Sequence, residues 1–302
     1  MEFGSISPEA VSAIDHRLAD DGESVARVLK GSPAVNGCKF HVGCGKWGEK
    51  QWLGHLYAPN ALERDLLSEY AGHFDAIELN ASFYSIPTLA QCEKWKQKVD
   101  EAANDSFLFV PRVSRTISHI FRLNNCEASM ETYLAGIAGL GPYLGPLFVQ
   151  LSTNYGPKNF PVLRSFIEKL PSDHRFFLEI REEHWFSDAI ERGRLFALLS
   201  EHQVGAVISD TSGRRDCVHM ELTVPELFVR FTGHGGALRP VDFKRIDEWV
   251  DRIADWIALG LEKVYFFLNQ QEQMDTPVLA GYLIDQLNAR FQAGLRPIHW
   301  TS

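Results

Sequence analysis

FDAIELNASFYSIP, residues 74–87, runs from an apolar approach into Glu78 and Asn80, and then straight into Phe83 and Tyr84. The approach reads as a buried strand. Residues two apart on a strand share a face, so Glu78 and Asn80 point the same way at its end. A carboxylate at the end of a buried strand needs a partner or a task, because burying it alone is costly.

Working outward, the same pattern recurs. Short, β-rich apolar runs are read at 38–44, 75–80, 107–113, 146–151, 175–181, 205–210, 227–232 and 264–269. Helical spacing lies between most of them, at 60–72, 88–101, 127–140, 159–169, 187–202, 242–259 and 275–292. Only the link TSGRRDCVHMELTVPE, between the sixth and seventh runs, lacks a clear long helix. Near-continuous apolar strands joined by helices imply a parallel sheet covered by helices, and eight such units predict a closed (β/α)8 TIM-type barrel of class α/β. An open doubly wound sheet is disfavoured, since GCGKWGEK after the first run has neither GxGxxG nor GxxxxGK[ST]. Ahead of the barrel, PEAVSAIDHRLADDGESVARVLK has helical spacing and ends in GSPAVNG. Residues 1–34 are therefore expected to form an N-terminal helical extension or flexible arm, and 35–302 a single barrel domain.

Bulk properties set limits on function. The chain has 302 residues, 45% of them hydrophobic, and a formal net charge of −9, which argues against binding nucleic acid through overall positive charge. Cys38, Cys44, Cys92, Cys126 and Cys217 are odd in number and far apart, and are read as reduced thiols. No apolar run reaches the roughly 18 residues of a membrane span, and the N-terminus lacks the basic-then-apolar order of a signal peptide. The expectation is a cytoplasmic protein with no membrane partner; oligomeric state is not legible.

In such a barrel the chemistry sits where strands meet their following helices. Those ends offer Gly43, Gly45 and Trp47; Glu78 and Asn80; Arg112, then His119; Gln150; Glu179 and Arg181, then Trp185; Asp210; Arg230 and Thr232, then His234; and Asn269. Arg112, Arg181 and Arg230 fall on alternate strands, which contribute to one layer of a barrel interior, and their fork-shaped donors suit phosphate or carboxylate. Glu78, Glu179 and Asp210 are the candidates for acid/base catalysis. Substrate-binding candidates are Trp47, Asn80, Tyr84, Arg112, His119, Gln150, Arg181, Trp185, Arg230 and Asn269. The aromatic ones would wall the pocket, or else simply pack loops on the rim. The plainest alternative is a structural ring in which Glu179 pairs with Arg181 or Arg230.

Several segments together, GCGKWGEKQWLGHLYAP, FDAIELNASFYSIP, FLFVPRVSRTISH, GPLFVQLS, FFLEIREEHWF, ISDTSG, FVRFTGH and VYFFLNQ, resemble in order the signature segments of the family known as domain of unknown function 72, or YecE-like. The resemblance runs from about Phe40 to Gln271 and implies a TIM-type barrel with no established activity. By that resemblance the family's strand 3 lysine falls on Arg112 and its Thr-His pair on Ser118 and His119. The chain departs from the pattern at Glu182, Thr232 and Gln270, where the family often has histidine, histidine and asparagine.

The function expected is action on a small anionic molecule by carboxylate acid/base chemistry, with no cofactor. One alternative is a metal-dependent hydrolase or isomerase using Glu78, His119, Glu179, Asp210 and His234. Against it, HxH, HxxE and HExxH are absent and three arginines would repel a dication. A retaining glycosidase would need two carboxyls about 5 Å apart, for which Glu78 and Glu179 are the candidates, but the usual barrels resembling that class carry their acids at strands 4 and 7, which here end in Gln150 and Arg230. The other alternative is a non-catalytic ligand-binding barrel. Arg214 and Arg215 are open to roles as lid, partner surface or solvated charge.

Overall fold

The computed structural model describes residues 3–29, 31, 37–270 and 273–301. Eight parallel strands follow one another around the sheet: β1 (Lys39–Cys44), β2 (Ala76–Leu79), β3 (Leu108–Pro111), β4 (Leu147–Gln150), β5 (Phe176–Glu179), β6 (Gly205–Asp210), β7 (Glu226–Gly233) and β8 (Lys263–Gln270). The helices behind them are α1 (Leu66–Ala71), α2 (Leu89–Glu101), α3 (Glu127–Ile137), α4 (Phe160–Glu168), α5 (Ala189–Glu201), α6 (Arg239–Leu259) and α7 (Thr276–Phe291). The expected TIM-type barrel is the fold observed.

Its seam lies between β3 and β4, where pairing is reduced to two isolated bridges, Phe109–Leu144 and Arg112–Phe148, with Gly145 N–H donating to Phe109 O at 2.8 Å and Val113 N–H to Phe148 O at 2.9 Å. Val113 donates toward β4, and residues two apart on a strand share a direction, so residue 111 would donate there too. Residue 111 is proline and has no N–H to give. Pro111 therefore withholds one donor from the seam.

Two apolar layers hold the fold. Inside the barrel, Ala76, Val110, Phe148, Phe177, Val207, Phe228, Tyr265 and Phe267 fill the lumen below the mouth. Outside it, the opposite strand faces pack on the helices through a larger core that includes Trp52, Trp249 and Trp256, all about 1% exposed or less. Each fully buried aliphatic or aromatic side chain of this kind contributes roughly 1.5–3 kcal/mol.

The N-terminal segment departs from expectation. In place of a long helix, residues 3–29 contain two single turns, Pro8–Val11 and Val25–Val28, with the stretch DDG between them. Gly22 belongs there by close approach, because a Cβ would lie 2.1 Å from the Glu221 carboxyl carbon. Of the joint expected at 31–37, residues 32–36 fall outside the described residues. The segment packs along the β6–β7 link, which has only a short turn at Arg215–Cys217. Gly22 N–H donates to Met220 O at 2.8 Å, Ser24 Oγ–H donates to Glu221 Oε2 at 2.5 Å, and Val25 and Leu29 join the outer core. It therefore covers the one position around the barrel where the strand-to-strand link supplies no long helix.

Candidate functional site

At the C-terminal mouth of the barrel lies a cavity of about 400 Å³. The polar layer on and just beneath it is built from the inward-facing residues just past the lumen-filling layer. Glu78 follows Ala76 by two, Arg112 follows Val110, Gln150 follows Phe148, Glu179 follows Phe177, Arg230 follows Phe228 and Asn269 follows Phe267. Strand periodicity thus lifts a polar layer directly onto an aromatic floor.

Arg230 is the hub of that layer. Its Nε donates to Glu78 Oε2 at 2.8 Å and its Nη2 to Glu78 Oε1 at 2.6 Å, a two-point fork on one carboxylate. Its Nη1 donates to Glu179 Oε2 at 2.6 Å and to Gln150 Oε1 at 3.3 Å. Glu179 Oε1 accepts from Arg181 Nε at 2.6 Å and from Ser209 Oγ at 3.0 Å, and Asn80 Nδ2 donates to Glu78 Oε1 at 2.8 Å. Both carboxylates are fully buried and each accepts three bonds. Burial pushes the Glu179 carboxyl up, but Arg181 and Arg230 overcome it and hold the group at about 2. Burial likewise opposes the charge on Arg230, yet Glu179 and Glu78 raise it well above the ordinary arginine range.

Arg112 is different. Its guanidinium lies 3.7 Å above the centre of the Phe83 ring, it makes no ion pair among the described residues, and its buried Nε has no hydrogen-bond partner. Burial and then the neighbouring Arg230 charge lower it to about 10. Three arginines, 112, 181 and 230, face two carboxylates, 78 and 179, so the cluster carries one uncompensated positive charge. Exposed Lys46, also on the cavity wall, adds to it.

Of the residues expected from sequence, Asn80, Tyr84, Arg112, Gln150, Arg181, Arg230 and Asn269 line this cavity, with Glu78 and Glu179 bonded beneath them. Tyr84 is 76% exposed. Gly45 is needed here, since a Cβ on it would sit 2.6 Å from Asn269 Oδ1 and 3.3 Å from Asn80 Nδ2.

Four expected residues are placed elsewhere. Asp210 does not face the mouth: Ser209 takes the inward position, and Asp210 points outward onto α6. There it accepts from Arg245 Nη2 at 2.8 Å and Trp249 Nε1 at 2.8 Å, and it also pairs with Arg215. Burial raises its carboxyl, but Arg245 and Arg215 bring it down to about 2. Trp185 is fully buried, donates to Tyr155 O at 2.6 Å and packs on Phe160, so it is core and not a pocket wall. Trp47 packs edge-on against Trp95. His119 stands behind Phe83, on a π-helical turn at Thr116–Ile120, its Nδ1 2.9 Å from Ser118 Oγ. Burial and the Arg112 charge push it below the usual histidine range.

The cavity also takes in Phe3, Lys46, Ser209, Thr211 and Thr232. Ser209 and Thr232 follow from parity with Val207 and Arg230; nothing local in the sequence marks Phe3. Arg215 is bonded to Asp210 and to the carbonyl of His16, while Arg214 forks onto Asp216, so neither is a free lid charge. Among the described residues no three or more His, Cys, Asp or Glu side chains gather in a metal-holding arrangement, and no helix is long and apolar enough to cross a membrane. The five cysteines are unpaired.

Comparison with known proteins agrees with this architecture. The family model described as "Protein of unknown function DUF72" matches residues 41–301. UPF0759 protein YecE of Escherichia coli (strain K12) is 25% identical over 266 residues, 82% of this chain and 92% of that protein. UPF0759 protein YunF of Bacillus subtilis (strain 168) is 24% identical over 178 residues, 57% of this chain and 61% of that protein. Among solved structures, a DUF72 family protein from Enterococcus faecalis superposes with a TM-score of 0.64 at 20% identity, covering 82% of this chain and 95% of its own. One from Thermotoga maritima gives 0.62 at 16% identity, covering 83% and 99%. With its eight-stranded barrel and a family match spanning nearly the whole of it, this chain belongs to the DUF72 family.

Proposed function

We propose that the barrel mouth is a receptor site for a small molecule bearing phosphate or carboxylate, bound on Arg112 and the outer edge of Arg181 with help from Lys46. The observation that carries this is the charge balance. Arg230 is consumed by Glu78 and Glu179, and Arg112 is left half-buried, cationic, with a buried unpartnered Nε and no counter-charge of its own beside the cavity. A guanidinium in that state gains most from an oxyanion that completes its donors.

The same geometry favours a positioning role for the two glutamates over acid/base catalysis. The Glu179 carboxyl, held at about 2 and saturated with donors, is a weak base near neutral pH and carries no proton to give, and the Glu78 oxygens are taken up by the Arg230 fork and by Asn80. Glu78 and Glu179 instead orient Arg230 and Arg181, much as outer-layer groups orient ligands in other charged sites. The site then acts on its ligand by binding it and by stabilising negative charge upon it. Calorimetric titration with inorganic phosphate tests the proposal: saturable one-to-one binding in the full chain, weakened in Arg112→Ala, supports it.

A further inference from the structure

We infer that the N-terminal segment, which precedes the residues matched by the family, completes this cavity with Phe3, and that the site therefore prefers anions carrying a flat apolar group over the bare anion. This rests on the anion-binding reading above and goes further by naming the ligand class.

Most of the lining is polar: asparagine, glutamine, serine, threonine and the basic side chains. Phe3 and Tyr84 are its two aromatic members. Phe3 is half-buried against the charged layer, with the Arg181 guanidinium 4.2 Å from its ring centre and that of Arg214 at 5.1 Å. An aromatic face beside an anion-binding guanidinium is the arrangement that holds a phosphorylated or carboxylated ring, with charge on the fork and the ring on the wall.

The backbone next to it is held firmly enough to act as a wall. The Gly4 carbonyl accepts from Thr211 Oγ1 and from Gly213 N–H, both at 2.8 Å. Further along, Arg215 Nη2 donates to His16 O at 2.9 Å, and His16 Nε2 lies 2.9 Å from Ser212 Oγ. The loop after β6 thus grips the segment at residues 4 and 16, and that loop starts from the strand that also places Ser209 on the cavity.

The test compares inorganic phosphate with phenyl phosphate at pH 8 by calorimetry on the full chain, on Phe3→Ala, on Phe3→Leu and on Tyr84→Ala. In the full chain phenyl phosphate is expected to bind about 3- to 10-fold more tightly than phosphate, the fold-change that an aromatic contact supports. Phe3→Ala and Phe3→Leu should bring that ratio close to one while changing phosphate binding by less than about 3-fold, and Tyr84→Ala should retain part of it. An unchanged ratio in both Phe3 variants overturns the inference and leaves the anion site standing. So does a ratio abolished by Tyr84→Ala alone, which would make Tyr84 the wall. Failure of the full chain to bind either anion overturns the anion site and this inference with it.

Discussion

Replacing Arg230 with alanine removes the one side chain that bonds both buried carboxylates. Three of its four donor contacts go to carboxylate oxygens at 2.6–2.8 Å. Glu179 would keep Arg181 and Ser209, but Glu78 would keep only Asn80, leaving a fully buried charge with a single amide donor. Breaking a buried pair from one side costs about 3–5 kcal/mol, and the expected loss lies in that range. Arg112→Ala removes no ion pair, only the contact over Phe83, worth about 1–2 kcal/mol at a partly desolvated site, and it offsets part of that by relieving an uncompensated charge. Its expected cost is therefore about 1 kcal/mol. Urea unfolding of the two variants beside the parent reads both numbers, and adding Glu78→Gln to Arg230→Ala should recover part of the loss. Equal destabilisation by the two arginine variants, or a loss under about 1 kcal/mol for Arg230→Ala, would refute the division of labour drawn here.

Two further outcomes follow from the buried acids. Asp210→Asn should lower stability by about 1–3 kcal/mol, because Arg245 would lose the nearer of its two buried carboxylate partners and keep only Asp242 at 3.3 Å, yet leave phosphate affinity unchanged within about 2-fold, since Asp210 lies outside the mouth. The Glu179 carboxyl is held near 2, below its ordinary range, so its contribution is complete above about pH 4.5 and is lost as pH falls toward 2. Glu179→Gln should flatten the acid limb of a stability profile over that window, and an unchanged limb would contradict the pairing.

Most of the barrel was legible because alternating short β-rich runs and helical stretches leave few other arrangements. Within the site, Glu78 and Asn80, and likewise Glu179 and Arg181, meet at the mouth because each pair sits two apart at a strand end, a spacing visible in the sequence. Asp210 does not join them, and the reason is physical. All six residues of β6 are buried, so the strand shows no polar alternation from which to read whether Ser209 or Asp210 faces inward. Trp185 and Trp47 carry the same ambiguity, since an aromatic after a strand looks alike in sequence whether it walls a pocket or seals a loop. The N-terminal segment failed differently. Its helical spacing is real, but DDG interrupts it, and its partners lie on the β6–β7 link some 200 residues away, a distance no local pattern spans. The donor missing from the seam at Pro111 was readable in principle from a proline within a strand.

If Arg112 binds ligand and does not merely hold the fold, phosphate titration of the parent and Arg112→Ala, with folding checked on the same samples, separates the two roles. One site per chain is expected, weakened in the variant by roughly 1.5–3 kcal/mol, the range for hydrogen bonds to charged groups, while the unfolding midpoint barely moves. Equal affinity in the two proteins, or a parent that binds no phosphate, would contradict the binding role.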